Sequence, residues 1–301
     1  MPKSTDTILP EHLAIDGRIE TAPPLGGLPR LRLQSPGGVA TLTTHGAHVL
    51  SYQPSDGEPV LWLSEASRLE PGEPIRGGIP VCWPWFADET DDPDRPMHGL
   101  ARTAMWRMVA TEADAETTVV RLRLTDSPAT HKHWPHAFAF ELTVNLSDHL
   151  SVRLTHRNRD TKAVRCTGAL HSYFAVDRID RVRIAGLEKV TYLDKLDSRR
   201  EKTHSGPLTI DGPTDRIYQN PPPSCLLHDG ANRTLQIESE GSRTTVVWNP
   251  WEQKARAMPD FEASGYRRMV CVETACCADD VVALPPDAEH TLATTLTCLG
   301  P

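Results

Sequence analysis

The chain has no surplus of positive charge: 32 lysines and arginines stand against 40 aspartates and glutamates, a formal net charge of −8. No general basic field exists to hold nucleic acid or an acidic membrane, so neither is expected as a partner, and an anionic ligand must be met by a few local cations. No apolar run approaches the roughly 20 residues that span a bilayer, and the polar residues 1–10 contain no apolar segment of the signal-peptide kind. Seven cysteines, an odd number with Cys276 and Cys277 adjacent, make no spaced disulfide framework, and no CxxC or Cys/His run has zinc spacing. These absences favour a reducing cytoplasm and predict no metal. Dinucleotide motifs, internal repeats and low-complexity tracts are missing too, apart from the rigid connector Pro221-Pro222-Pro223. No stretch shows a sustained 3.6-residue stripe.

What is present is a succession of short β runs. The 301 residues are enough for one large β domain with a sizeable core. Residues 1–30 read as an N-terminal arm, with a short helical patch at Glu11, His12 and Leu13 and then a loop marked by Pro23, Pro24, Gly26, Gly27 and Pro29. Residues 31–301 are expected to form a single domain. Its first strand candidates are 39–44, 49–53 and 60–64. The alternation then becomes explicit: Val120, Leu122 and Leu124 interleave with Arg121 and Arg123, and Val152 and Leu154 with Arg153 and Thr155, the period of half-buried antiparallel strands. Further candidates fall at 136–146, 164–174, 190–193, 225–228, 233–239, 243–248, 268–274 and 290–299. One short helix is expected at 127–133, with Ser127 as cap and Pro128 in the first position. Strands this numerous without crossover helices predict an all-β, mostly antiparallel sandwich with few short helices.

Four stretches carry residues that such a fold does not require. In Arg76-Gly-Gly-Ile-Pro-Val-Cys-Trp-Pro-Trp-Phe86, Gly77 and Gly78 free the backbone and Pro80 and Pro84 remove two amide donors. Trp83 and Trp85 follow closely. An arginine beside a rigid aromatic wall suits a ligand with a ring-shaped body and an anionic or hydroxyl-rich edge; a surface turn with buried indoles fits the same residues. Alternation puts Trp83 and Trp85 on one face, so that both line a pocket or neither does. Met97-His-Gly-Leu-Ala-Arg102 sets His98 and Arg102 around a glycine, as an exposed turn or as a further planar donor for a phosphate or carboxylate. Leu170-His-Ser-Tyr-Phe174 interrupts an apolar strand with His171, either a structural residue or one held in an apolar wall and able to act near neutral pH. Glu273 ends the apolar run 268–272, where a carboxylate is costly unless it is paired, at work or just reaching solvent. Asp215 and Asp260 stand beside turns, where aspartate often only forms the turn.

One histidine and one glutamate suffice for general acid–base chemistry. Opening a cyclic hemiacetal needs nothing more: a base removes the anomeric hydroxyl proton while an acid protonates the ring oxygen, without metal or redox cofactor.

Arg76-Gly-Gly-Ile-Pro-Val-Cys-Trp-Pro-Trp-Phe86, His98-Gly-Leu-Ala-Arg102, Leu170-His-Ser-Tyr-Phe174, Thr214-Asp-Arg-Ile-Tyr218, Val247-Trp-Asn-Pro250 and Cys271-Val-Glu-Thr-Ala275 together resemble the glucose-6-phosphate 1-epimerases, the hexose-6-phosphate mutarotases of the wider aldose 1-epimerase group. The resemblance runs from about residue 30 to the C-terminus, with the motifs in the family's order. It implies a galactose-mutarotase-like β-supersandwich and interconversion of the α and β anomers of a hexose 6-phosphate. It also implies His171 as general acid, Glu273 as general base, Asp215 as a ligand of sugar hydroxyls, and Arg76, His98 and Arg102 as substrate-binding residues, with at least one arginine on the 6-phosphate. Leu100 stands where many members have phenylalanine, and Met97 is apolar where some carry a polar group. No cofactor, a sugar phosphate as the small-molecule partner and a cytoplasmic monomer are the matching expectations. An epimerase of unphosphorylated aldoses and a non-catalytic carbohydrate-binding β-sandwich remain open on the residues. So does a glycoside hydrolase using Glu273 with Asp215 or Asp260.

Overall fold

The computed structural model describes residues 9–87 and 95–299, so residues 1–8 of the expected arm lie outside the described residues. Among these, pairing builds two eight-stranded sheets, a four-stranded meander and a two-stranded ribbon, with antiparallel strand pairs. One large sheet runs, in spatial order, Arg183–Ala185, Ser224–His228, Thr234–Glu240, Glu289–Leu299, Leu150–Asn158, Phe138–Leu146, Thr118–Thr125 and Arg107–Ala113. Its strands alternate as their sequences do. Phe138, Phe140, Leu142, Val144 and Leu146 are buried and the residues between them are not, which is the pattern of a sheet with one face in the core and one in water. The watery face carries cross-strand pairs such as Arg123 with Glu141 at 2.6 Å.

The other large sheet runs Arg200–Lys202, Tyr192–Asp194, Thr214–Gln219, Thr244–Asn249, Met269–Cys276, Gly168–Leu170 and Val81–Cys82, with Tyr173–Ala175 also paired to Met269–Cys276. Every residue of Met269–Cys276 is buried. Val270, Val272 and Cys276 enter the core shared with the first sheet, whereas Met269, Cys271 and Ala275 enter a second apolar cluster on the opposite face. Trp62, Phe261, Tyr266 and Ala255 of the helix Trp251–Ala257 belong to that second cluster. A strand covered on both faces reads as a continuous apolar run. Glu273 therefore does not mark a strand end reaching solvent; it lies within the strand and is 1% exposed.

The remaining differences from expectation have local causes. The meander is Ile19–Leu25, Leu28–Ser35, Gly38–Thr43 and His48–Pro54, so Pro23, Pro24 and Pro29 lie in strands and only Gly26 and Gly27 in the turn between them. Ile19–Leu25 is the edge of its sheet, and its register shifts between Ala22 and Leu25, where missing amide donors are tolerated. Residues 60–64 form only isolated bridges, from Leu61 to Phe174 and from Leu63 to Gly77. The expected strand 164–174 is three, with Val164–Cys166 pairing to Val282–Leu284 and the other two to Met269–Cys276. The helix Pro128–His131 begins as its sequence predicts, with Ser127 and Thr130 exchanging both capping-box bonds. Trp251–Ala257 left no periodic signal because seven residues make only two turns. No helix among the described residues is long and apolar enough to cross a membrane.

Trp83 is fully buried in the core between the sheets, where its Nε1 donates to His156 Nδ1 at 3.2 Å and Phe140 meets the His156 ring edge-on at 4.8 Å. Burial lowers His156 to about 3, as it does His48. In the unfolded chain each titrates near 6.5, so between these values the unfolded state binds more protons and stability falls as pH drops. Denaturant unfolding at pH 7 and pH 5 is expected to show lower stability at pH 5. Replacing His156→Gln, which keeps an acceptor for Trp83, should remove from that slope up to about 1.4 kcal/mol per pH unit. An unchanged slope in the variant would contradict a neutral buried His156.

Candidate active site

The second sheet places the candidate residues by register. Leu170 pairs with Thr274 and Tyr173 with Cys271. Between those pairs the ladder opens, and the same register carries His171 opposite Glu273. The His171 amide donates instead to Pro80 O at 3.0 Å, so the backbone is satisfied while the side chain is turned across the gap. His171 Nε2 lies 3.4 Å from Glu273 Oε1. On the other flank Glu273 pairs with Val246, and Val246 with Ile217. Ile217, Val246, Glu273 and His171 thus form one cross-strand row, the floor of a cavity of about 420 Å³. The adjoining row on the same face is Asp215, Trp248, Cys271 and Tyr173.

Burial decides the electrostatics of the floor. It raises Glu273 well above the usual carboxylate range, Asp215 adding to the effect and Lys195 opposing it. Burial lowers His171 to about 3, with the positive Arg76 and Arg102 contributing. Both shifts favour uncharged forms, so the one proton the pair holds near neutrality rests on Glu273. Glu273 Oε2 and His171 Nδ1 are buried without a hydrogen-bond partner, a cost that a binding site bears when its partner is a ligand. Asp215 is also raised by burial, against the pull of Lys195, whose Nζ stands 3.9 Å from Oδ2, and of Lys254. Cys271 Sγ lies close to both members of the pair, its donor atom and theirs being mutually within 4.8 Å.

The walls come from loops and from the helix. Arg76 lines the cavity and is held from behind: Nε donates to Asp260 Oδ2 at 3.1 Å and Nη1 to the Tyr173 hydroxyl at 3.1 Å. Asp260, a turn aspartate in the sequence, is the carboxylate that orients this guanidinium. Gly77 and Gly78 have φ of +119° and +61°, and a Cβ on them would meet Leu63 Cα and Trp62 O at 2.5 Å and Val49 O at 2.2 Å. Their close approach is to the protein's own backbone and not to a ligand. Trp83 lies in the core, and Trp85 is buried with its Nε1 donating to Pro96 O at 2.8 Å. Neither lines the cavity. Phe86 and Trp248 make its aromatic wall instead.

His98 lines the cavity beside Phe86 and His171, with ring centroids 5.0 and 5.6 Å away. Its Nδ1 accepts from the Ala87 amide at 3.3 Å, which leaves Nε2 as the protonated nitrogen of the neutral ring. Desolvation, then His171 and Arg102, hold its pKa well below the ordinary histidine value. Arg102 is not part of the lining. Its Nη2 donates to Met97 O at 2.6 Å, behind the turn that carries His98. The structure thus brings His171, Glu273, Asp215, Arg76 and His98 to one cavity and sets Arg102 at its back. Sequence reasoning missed Lys195 and Lys254. Lys195 follows strand Tyr192–Asp194, and Lys254 rides on the short helix with Nζ 5.6 Å from the centroid of the Trp248 ring. The helix's position directly after the Val247-Trp-Asn-Pro250 motif was the one available signal for Lys254.

Residues 29–297 match the family model described as aldose 1-epimerase. A protein of Salmonella typhimurium provisionally named a glucose-6-phosphate 1-epimerase is 35% identical over 237 residues, covering 78% of this chain and 79% of its own length. An Escherichia coli protein of the same provisional name is 36% identical over 239 residues, with the same 78% and 79% coverage. Among solved structures, a Salmonella typhimurium protein provisionally described as a mutarotase superposes with a TM-score of 0.89 at 31% identity, over 97% of both chains. The galactose 1-epimerase of Lactobacillus acidophilus superposes with a TM-score of 0.71 over 91% of this chain and 95% of its own; at 13% identity this is a likeness of fold alone. The sandwich is therefore galactose-mutarotase-like, as the resemblance implied, and the chain belongs to the aldose 1-epimerase family.

Proposed function

We propose that the protein interconverts the α and β anomers of a hexose 6-phosphate, glucose 6-phosphate foremost, by opening and reclosing the pyranose ring. The observation that carries this is the buried His171–Glu273 pair, 3.4 Å apart on the floor of a sugar-sized cavity that three cations, Arg76, Lys195 and Lys254, also face. The provisional names of the relatives support the phosphorylated substrate.

The pair holds one proton in two places. With the proton on Glu273 both groups are neutral; after transfer across the pair they are carboxylate and imidazolium, at the same net charge. In the second arrangement Glu273 takes the C1 hydroxyl proton while His171 protonates O5. The ring opens, C1 turns about the C1–C2 bond, and closure with the roles reversed delivers the other anomer. Neither arrangement needs a proton from solvent, so the balance between them does not depend on pH. Asp215 and His98 bind sugar hydroxyls in this reading, Phe86 and Trp248 pack against the ring, and Arg76 with Lys254 meets the phosphate. Arg102 acts through the Met97 carbonyl by fixing the turn that carries His98.

Exchange NMR or polarimetry on freshly dissolved α-glucose 6-phosphate tests the activity, since a protein that only binds sugar leaves the spontaneous rate unchanged. His171→Ala and Glu273→Gln, folded by circular dichroism, should lower kcat by about 10²–10⁴; full turnover in either would sink the assignment.

Arg76→Ala and Lys254→Ala should each raise KM for glucose 6-phosphate by about 10- to 100-fold, the value of a charge-assisted hydrogen bond, and change that for glucose much less. Equal losses on both sugars would remove the phosphate role and favour an epimerase of free aldoses.

With His171 lowered to about 3 and Glu273 raised, kcat should stay level through the ordinary histidine range near 6.5. It should fall only at higher pH, as the pair loses its one proton, or in strong acid. The measurement is kcat at saturation, because the phosphate of the free substrate itself titrates near about 6. A one-proton loss of kcat centred near 6.5 would overturn this proton inventory.

A further inference from the structure

Cys271 plays no part in the anomerisation proposed above, yet it completes a ligand set with the two residues that do. It stands two positions before Glu273 in Met269–Cys276 and so shares its face of the strand, while His171 lies opposite. One donor atom from each of His171, Cys271 and Glu273 falls within 4.8 Å of the others. The 3.4 Å between His171 Nε2 and Glu273 Oε1 is already that of two ligands on one tetrahedral ion. Bonds of about 2.0–2.3 Å set such donors roughly 3.4–3.7 Å apart. Drawing the thiol in takes about 1 Å of side-chain movement on the same geometry. A second observation points the same way: Glu273, 1% exposed, keeps Oε2 without a partner, a free acceptor on the same carboxylate.

We propose that His171, Cys271 and Glu273 form a binding site for a thiophilic divalent cation, Zn²⁺ or Cd²⁺, whose occupation blocks the cavity. An imidazole nitrogen, a thiolate and a carboxylate make a borderline-soft set that selects Zn²⁺, Cd²⁺ or Co²⁺ over Mg²⁺ and Ca²⁺, which require about six or more oxygens. Binding releases two protons to solvent, one from the thiol and the one shared by the His171–Glu273 pair. The two anionic ligands then match the charge of the ion, and the occupied site is neutral, which matters where water is excluded. Arg76, Lys195 and Lys254 face the same cavity; Arg76 is drawn to Asp260 at 3.0 Å and Lys195 to Asp215 at 3.9 Å, while Lys254 Nζ lies over the Trp248 ring, 5.6 Å from its centroid. His171 and Glu273 both line the cavity, so an ion held by them meets the space a sugar would fill. Mutual exclusion of metal and sugar rests on the activity proposed above; the metal site itself does not.

The test is a titration of the full chain, freed of metal by a chelator, with Co²⁺ and Cd²⁺, following thiolate-to-metal charge-transfer absorption, and with Zn²⁺ by calorimetry. The wild type is expected to bind one ion with a charge-transfer band and to lose anomerase activity reversibly, while Mg²⁺ has no effect. Cys271→Ser should stay folded and active, lose the band and bind Zn²⁺ about 100-fold more weakly. Cys271→Ala serves if serine is poorly accommodated, and Cys298→Ser, at a half-buried thiol elsewhere, should change nothing. No band in the wild type, or a band that survives both Cys271 variants, overturns the proposal. Full activity at saturating Zn²⁺ overturns the blocking. Absorption reads the metal directly, so a chain that binds metal without anomerising glucose 6-phosphate refutes the substrate reading and leaves the metal site standing.

Discussion

Met269–Cys276 is covered on both faces, by the core between the two large sheets on one side and by the Trp62, Phe261 and Tyr266 cluster on the other. The chemistry of the site follows from that double cover. A carboxylate in the middle of such a strand, here 1% exposed, is poorly hydrated, and an isolated buried charge would cost several kcal/mol. Glu273 escapes the penalty by holding a proton, and His171 escapes it by lacking one. The interruption of the ladder at His171 and Ser172 is the geometric counterpart: it turns a side chain toward Glu273 where an unbroken ladder would have continued.

Around this floor stand positioned charges, two of them with a counter-charge. Arg76 is fixed by Asp260 and by the Tyr173 hydroxyl, and its loop is anchored by backbone contacts that leave no room for a Cβ at Gly77 or Gly78. Lys195 stands by Asp215. A guanidinium already forked onto a carboxylate loses less rotamer freedom when an anion arrives, and a protein of net charge −8 has to concentrate its positive potential in this way. The desolvation that favours the uncharged forms of His171 and Glu273 also leaves Glu273 Oε2 unpartnered, in a carboxylate that clusters with the Cys271 thiol.

The sequence carried most of the architecture because antiparallel strands with one wet face write their burial into alternation. Phe138–Leu146 and Leu150–Asn158 show it residue by residue. It failed where burial is two-sided or the element short: Met269–Cys276 gave an apolar run with no sign of which residues face which cluster, residues 60–64 looked like a strand but make only isolated bridges, and Trp251–Ala257 was too brief for a period. The family motifs named His171, Glu273, Asp215, Arg76, His98 and Arg102, and five of the six line the cavity. Lys195 and Lys254, outside those motifs, went unseen.

Composition and order along the chain determined an acidic, strand-rich domain, and its motifs singled out a histidine, a glutamate and a few arginines. What only the tertiary structure decided is which of them meet. His171 and Glu273 are about a hundred residues apart in the chain and stand 3.4 Å from each other because two strand pairings keep one register across a gap. Trp83 and Trp85, adjacent to the site in sequence, are turned into the core, and Phe86 and Trp248 take the wall instead. The reason is physical: alternation fixes which side a residue faces along its own strand, whereas the neighbour across the sheet, the element packed above it and the loss of water around it depend on pairings made over long sequence distances.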